Sequence, residues 1–174
     1  MKRFHVHISV DSIEASVKFY NTLFGQAASV QKSDYAKWML DDPRINFAIS
    51  QRGAKAGLDH FGLQLDSQDD LHAMTAQLSS AGLAVADEGE TTCCYAKSDK
   101  GWVHDPQGIA WESFVTMGEA TTYGYEPSQD ANATTTPAAA CCAPVAKPKV
   151  SLKDIAVRPA ASCGTPVGSA SSCC

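Results

Sequence analysis

Apolar and polar positions alternate from the first residues of the chain. Phe4, Val6, Ile8 and Val10 fall on one face of an extended segment, and His5, His7 and Ser9 fall on the other. Asp11-Ser12 then supplies a helix N-cap, and the period changes: Ile13, Val17, Tyr20 and Phe24 share one helical face, which Gly25 ends. The same grammar returns further on. His60-Phe61-Gly62-Leu63-Gln64-Leu65-Asp66-Ser67 aligns without a gap on His5-Val6-His7-Ile8-Ser9-Val10-Asp11-Ser12, and a helix follows with Leu71, Met74, Leu78 and Ala81 on one face and Gly82 as its stop. Strands are predicted at 36–40 and 46–50 in the first half, and at 93–98, 102–104 and 110–115 in the second. Asp42-Pro43 and Asp105-Pro106-Gln107-Gly108 supply turns.

A strand–helix–strands unit used twice predicts an α+β fold of paired βαβββ modules. Each module forms a sheet covered on one face by its helix, and the uncovered faces meet around a cleft. The apolar faces of the two leading strands belong under the helices, so His5 and His60, at equivalent places, point into the cleft. Near residue 118 the composition shifts to Ala, Thr, Pro, Ser and Gly, too poor in bulky apolar groups to offset the entropy of ordering. Residues 1–120 are therefore expected to form the domain and 121–174 a flexible, cysteine-containing tail.

Charge and composition narrow the classes. Nineteen acidic residues against fourteen basic ones give a net charge of −5, which disfavours a general nucleic-acid surface. No apolar run reaches the ~18–20 residues of a membrane span, and the N-terminus lacks a signal-like apolar core. A cytoplasmic protein, monomeric or homodimeric, is expected. Of seven cysteines, six form adjacent pairs, Cys93-Cys94, Cys141-Cys142 and Cys173-Cys174, with Cys163 alone. An odd count argues against a disulfide framework, and neighbouring cysteines bridge only with strain. Soft-ligand chemistry suits such pairs better.

Glu112 stands inside an apolar strand, where an unpaired carboxylate is costly. A cation shared with His5 and His60 removes that cost. The equivalent place in the first half, around Ala48-Ile49, holds no ligand. Two histidines and one carboxylate with positions to spare is the arrangement of non-haem Fe(II) oxygen chemistry, although Zn(II), Mn(II) or Ni(II) fit the same donors. His7 also faces the cleft and is placed beside the ligands as a wall or substrate contact. His72 is placed in solvent and His104 on loop surface.

These residues carry a resemblance. The stretch from His5 to Gly25, with Phe19-Tyr20-Asn21-Thr22-Leu23-Phe24-Gly25, and His60 with Val103-His104-Asp105-Pro106-Gln107-Gly108-Ile109-Ala110-Trp111-Glu112, resemble the two modules of the vicinal-oxygen-chelate superfamily of glyoxalases, bleomycin-resistance proteins and extradiol dioxygenases. The resemblance implies a divalent metal on His5, His60 and Glu112. Gly89-Glu90-Thr91-Thr92-Cys93-Cys94-Tyr95-Ala96-Lys97-Ser98-Asp99-Lys100 is similar to the Thr-Thr-Cys-Cys block of the ArsI/CadI group of bacterial heavy-metal-resistance proteins. That likeness implies Fe(II)- and dioxygen-dependent cleavage of the carbon–arsenic bond of trivalent organoarsenicals, such as methylarsonous acid and reduced aromatic arsenicals, to arsenite. Cys93 and Cys94 would then hold the arsenic, as thiophilic arsenic requires. Lys97 and Lys100 are expected to favour their thiolates, and residues 53–57 and 88–92 to act as mobile loops. The other readings are a non-catalytic Cd(II)- or arsenite-sequestering protein, and a glyoxalase-like isomerase, which needs a second acid that Ala48-Ile49 does not supply.

Overall fold

The computed structural model describes residues 2–124. Elements follow in the order β1 (Arg3–Ser9), α1 (Ile13–Phe24), β2 (Val30–Gln31), β3 (Tyr35–Asp41), β4 (Arg44–Ser50), β5 (Gly57–Leu65), α2 (Gln68–Ser80), β6 (Ala86–Cys93), β7 (Ala96–His104) and β8 (Ala110–Glu119). Each half is therefore a βαβββ module. The expected caps form: Ser12 Oγ accepts from Ala15 N and Ser67 Oγ from Asp70 N, both at 3.2 Å. Gly25 closes α1 in the left-handed conformation.

The modules do not make two separate facing sheets. They share one eight-stranded sheet in the order β2-β3-β4-β1-β5-β8-β7-β6, because β1 and β5 pair antiparallel at the centre. Pairing these inner edges satisfies two rows of backbone groups that separate sheets would leave open. Within each module the leading strand pairs parallel with the last, β1 with β4 and β5 with β8. The register carries the repeat: His5 lies opposite Gly62, and its counterpart His60 lies opposite His7.

Under α1, Ile13 and Val17 pack with Ala36, Trp38, Leu40, Phe47 and Ile49, flanked by Val6, Ile8, Tyr20 and Phe24. Under α2, Leu71 and Met74 pack with Leu65 and Val115. The helices thus cover the face opposite the histidines, as the alternation requires, and the other face is left for chemistry. Among the described residues no helix is long and apolar enough to cross a membrane.

Packing also runs past the expected boundary at 120. Tyr123 sits against Tyr35 and Tyr95, with the Arg52 guanidinium 3.9 Å from its ring centre, and Gly124 bridges to Cys93. Cys141, Cys142, Cys163, Cys173 and Cys174 lie outside the described residues.

Candidate metal and dithiol site

The two leading strands bring His5 and His60 together at the centre of the sheet, with Nε2 atoms 3.2 Å apart. Strand β8 brings Glu112 alongside, its Oε2 3.7 Å from His5 Nε2 and 3.6 Å from His60 Nε2. Donors about 2.1 Å from one cation sit about 3.0 Å apart at right angles and about 3.4 Å apart at tetrahedral angles, so this near-equilateral triangle suits a common ion. All three residues are buried.

The outer nitrogens explain why the inner ones face each other. His5 Nδ1 donates to the Asn46 carbonyl at 2.9 Å, and His60 Nδ1 donates to Asp59 Oδ1 at 2.6 Å. Both bonds place the ring proton on Nδ1 and leave lone pairs on the two Nε2 atoms. Two lone pairs converging on a buried carboxylate suit a cation. Burial pushes the His5 pKa down to about 3 against the attraction of Glu112, so its ring is neutral and able to ligate at neutral pH.

Asp59 was not legible in the alternation. The β1–β5 register shifts between His7 and Ile8, whose partners are His60 and Leu58, and Asp59 is the extra residue of that bulge. The bulge turns its carboxylate onto the neighbouring imidazole instead of the opposite face.

Glu112 has space because its partner across the β5–β8 ladder is Gly62. A Cβ on Gly62 would lie 2.7 Å from the Glu112 carbonyl oxygen and 3.1 Å from its Cβ. Gly62→Ala is therefore expected to force the strands apart and weaken metal binding about ten-fold or more, as read by metal titration. By the repeat, Glu112 corresponds to Ala48, which pairs with His7 as Glu112 pairs with Gly62.

His7 belongs to the same group of rings: ligand atoms of His5, His7 and His60 all fall within 4.8 Å of one another. Its Nε2 is hydrogen-bonded to Ser50 Oγ at 2.9 Å, and the spread is wider than in the triangle with Glu112. Glu112 lies closer to both nitrogens and its negative charge offsets part of a divalent ion's, so it makes the better third donor. His72 is exposed, and His104 is half-buried at the end of β7.

In the sequence Lys100 is only a neighbour of the thiols. It is 4% exposed, and its Nζ donates to Glu112 Oε1 at 2.7 Å. Burial opposes its charge, but Glu112 first and then Cys93 and Cys94 raise its pKa overall. Conversely, burial would raise the Glu112 pKa, yet Lys100 and the two histidines hold it well below the ordinary carboxylate range. Lys97 is exposed, and the second cation near the dithiol is Lys37.

Residues 93–98 do not form the continuous strand expected. Strand β6 ends at Cys93 and β7 starts at Ala96, so Cys94 and Tyr95 form a two-residue hairpin loop with φ of 57° and 61°. Residues 88–92, expected as a loop, lie in β6. In a regular strand, adjacent side chains point to opposite faces and could not grip one atom. The left-handed turn brings the sulfurs to 3.2 Å instead. Such a loop prefers Asn-Gly, and strained residues there persist only when surrounding contacts hold them. Tyr95 supplies these contacts: its hydroxyl donates to Asp34 Oδ1 at 2.7 Å, and its carbonyl accepts from Ala120 N at 2.9 Å.

Cys93, Cys94, His5, His60, Glu112 and Lys100 line one cavity, of about 460 Å³ with its open mouth included. A sequence profile of the Glyoxalase/Bleomycin resistance protein/Dioxygenase superfamily matches residues 2–113. The chain belongs to this superfamily. Within it, the chain is 40% identical over 152 residues, 84% of its length and 93% of the relative's, to a trivalent organoarsenical cleaving enzyme of Bacillus sp. (strain MD1). It is 34% identical over 128 residues, 73% of its length and 84% of the relative's, to the cadmium-induced protein CadI of Mycobacterium tuberculosis (strain ATCC 25618 / H37Rv). Two solved structures share the fold. The Mn(II)-bound glyoxalase from Novosphingobium aromaticivorans matches with TM-score 0.51 and 18% identity over 73% of this chain and 44% of that one. An extradiol ring-cleaving dioxygenase from B. fuscum matches with TM-score 0.51 and 17% identity over 67% and 32%.

Proposed function

We propose that this superfamily member is an Fe(II)-dependent dioxygenase-type lyase that cleaves the carbon–arsenic bond of trivalent organoarsenicals and releases arsenite. One observation carries the reading: a vicinal dithiol and a two-histidine, one-carboxylate cluster line the same cavity. The name of the Bacillus relative points to the same substrate class. His5, His60 and Glu112 hold the cation, and Cys93 and Cys94 hold the arsenic.

The two thiols displace both hydroxyls of a species such as methylarsonous acid, forming two As–S bonds and releasing two waters. Two attachments fix the direction of the third substituent, the carbon, as one attachment would not. Iron bound at the triad supplies dioxygen activation and the redox chemistry of bond cleavage. Asp59 and the Asn46 carbonyl keep both imidazoles in the tautomer that ligates. Lys100 balances the carboxylate and contributes positive charge next to the thiols. The hairpin tip, tied to Asp34 through Tyr95, keeps the thiols over the cavity.

The test is to load the full chain with Fe(II) without oxygen, add methylarsonous acid, and then admit dioxygen. Arsenite is expected only after dioxygen enters, with matching oxygen uptake. A sequestering protein binds the arsenical, consumes no oxygen and releases no arsenite. The same reading takes residues 1–120 as the catalytic domain, and the tail expected from 121 lies, beyond 124, outside the described residues. Because Tyr123 and Gly124 touch the dithiol hairpin, a chain ending at 125 is expected to keep arsenite release within about two-fold, whereas one ending at 119 is expected to lose most of it.

A further inference from the structure

We infer that Lys100 is a positioning residue that restricts Glu112 to a single available oxygen. The ammonium occupies Oε1 at 2.7 Å, while Oε2 faces the two imidazole nitrogens at 3.6 and 3.7 Å. A carboxylate with both oxygens available can take two positions on a divalent cation, and one whose second oxygen is held by a lysine takes one. The position left over is available to a further ligand in a cavity that also contains the dithiol.

A purely stabilising role accounts poorly for this lysine. Both side chains are about 5% exposed, and a buried ion pair is often no more stable than apolar groups of the same shape. An unbranched apolar side chain against Trp102, whose ring centre is 5.7 Å from the ammonium, would fill the same space. What the apolar side chain would not do is divide the carboxylate in two. The hydrogen bond to Oε1 at 2.7 Å and the Trp102 ring beside it hold the ammonium on that oxygen.

The inference rests on the metal reading above, and the experiment separates the two. Mn(II) alone is titrated into the full wild-type chain, Lys100→Met and Lys100→Gln. Affinity is followed by electron paramagnetic resonance and bound water by proton relaxation. A wild type that binds no Mn(II) removes the metal reading and this inference with it. Where the wild type binds, Lys100→Met releases Oε1 and removes a like charge, so it is expected to bind Mn(II) about ten-fold more tightly, with one bound water fewer. Lys100→Gln keeps an N–H on Oε1 and is expected to bind more tightly with wild-type hydration. A residue that only fills the wall gives weaker binding in both variants, or unchanged affinity and hydration in Lys100→Met, and either result overturns the inference. Should Lys100→Met fail to fold, Lys100→Leu, which also frees Oε1, decides: one bound water fewer than wild type supports the inference, and unchanged hydration overturns it.

Discussion

Replacing Cys93 or Cys94 by serine is expected to lower arsenite release by about a thousand-fold or more, with the metal content of the purified protein unchanged. The chemistry is one-sided: trivalent arsenic prefers sulfur strongly over oxygen, and serine offers a poor substitute. A single remaining thiol still binds the arsenical, but it leaves the carbon free to rotate, so the orientation gained from two attachments is lost. The structural disturbance is small, because serine is nearly the size of cysteine and the hairpin is tied through Tyr95 instead of through the sulfurs. Metal analysis beside an arsenite assay checks this. Serine variants that keep their activity would remove the dithiol from the reaction.

Glu112→Gln is expected to have an effect of similar size through the other half of the site. The amide keeps the shape, removes the charge and leaves the Lys100 ammonium buried without its carboxylate. Metal affinity should fall by at least about a hundred-fold and arsenite release with it, while metal-free binding of phenylarsonous acid to the two thiols persists. Stability should fall as well, by about 3 kcal/mol, because breaking one side of a buried pair leaves an uncompensated charge. Thermal unfolding of the metal-free protein reads this as a lower Tm. The double variant Glu112→Gln with Lys100→Met is expected to be more stable than Glu112→Gln alone, since the stranded charge is gone. If the double variant is less stable still, the two side chains contribute independently and the pairing is not what matters.

The parts of this site that were legible in the sequence are those that depend on local period. Strand alternation and a gapless repeat identified His5 and His60 as equivalent, and both point away from the helices in the fold. Glu112 stood out as a carboxylate in an apolar strand. The helix starts and stops were equally local, as Ser12, Ser67 and Gly25 show. What could not be read depends on register and turn geometry. Asp59 reaches His60 only because a bulge breaks the alternation, and no residue type marks a bulge at that place. The Cys94-Tyr95 loop lacks the Asn-Gly chemistry that ordinarily announces a hairpin, so the segment read as strand. Lys100 looked like one of two lysines near the thiols, and only the β7–β8 pairing, which places Trp102 opposite Glu112 and Lys100 one step along the same face, brings its ammonium to the carboxylate. The single continuous sheet was missed for the same reason: nothing local records that β1 and β5 pair with each other.

The spatial relation between arsenic and metal is open to direct measurement. Crystals of the full chain loaded with Co(II) and soaked anaerobically with phenylarsonous acid, measured at the arsenic and cobalt absorption edges, locate both atoms independently. The expected result is arsenic bonded to the sulfurs of Cys93 and Cys94, cobalt among His5, His60 and Glu112, and the phenyl carbon directed from arsenic toward the cobalt within about 4 Å. Arsenic on other sulfurs, or a phenyl group turned to solvent with cobalt out of its reach, would contradict the account.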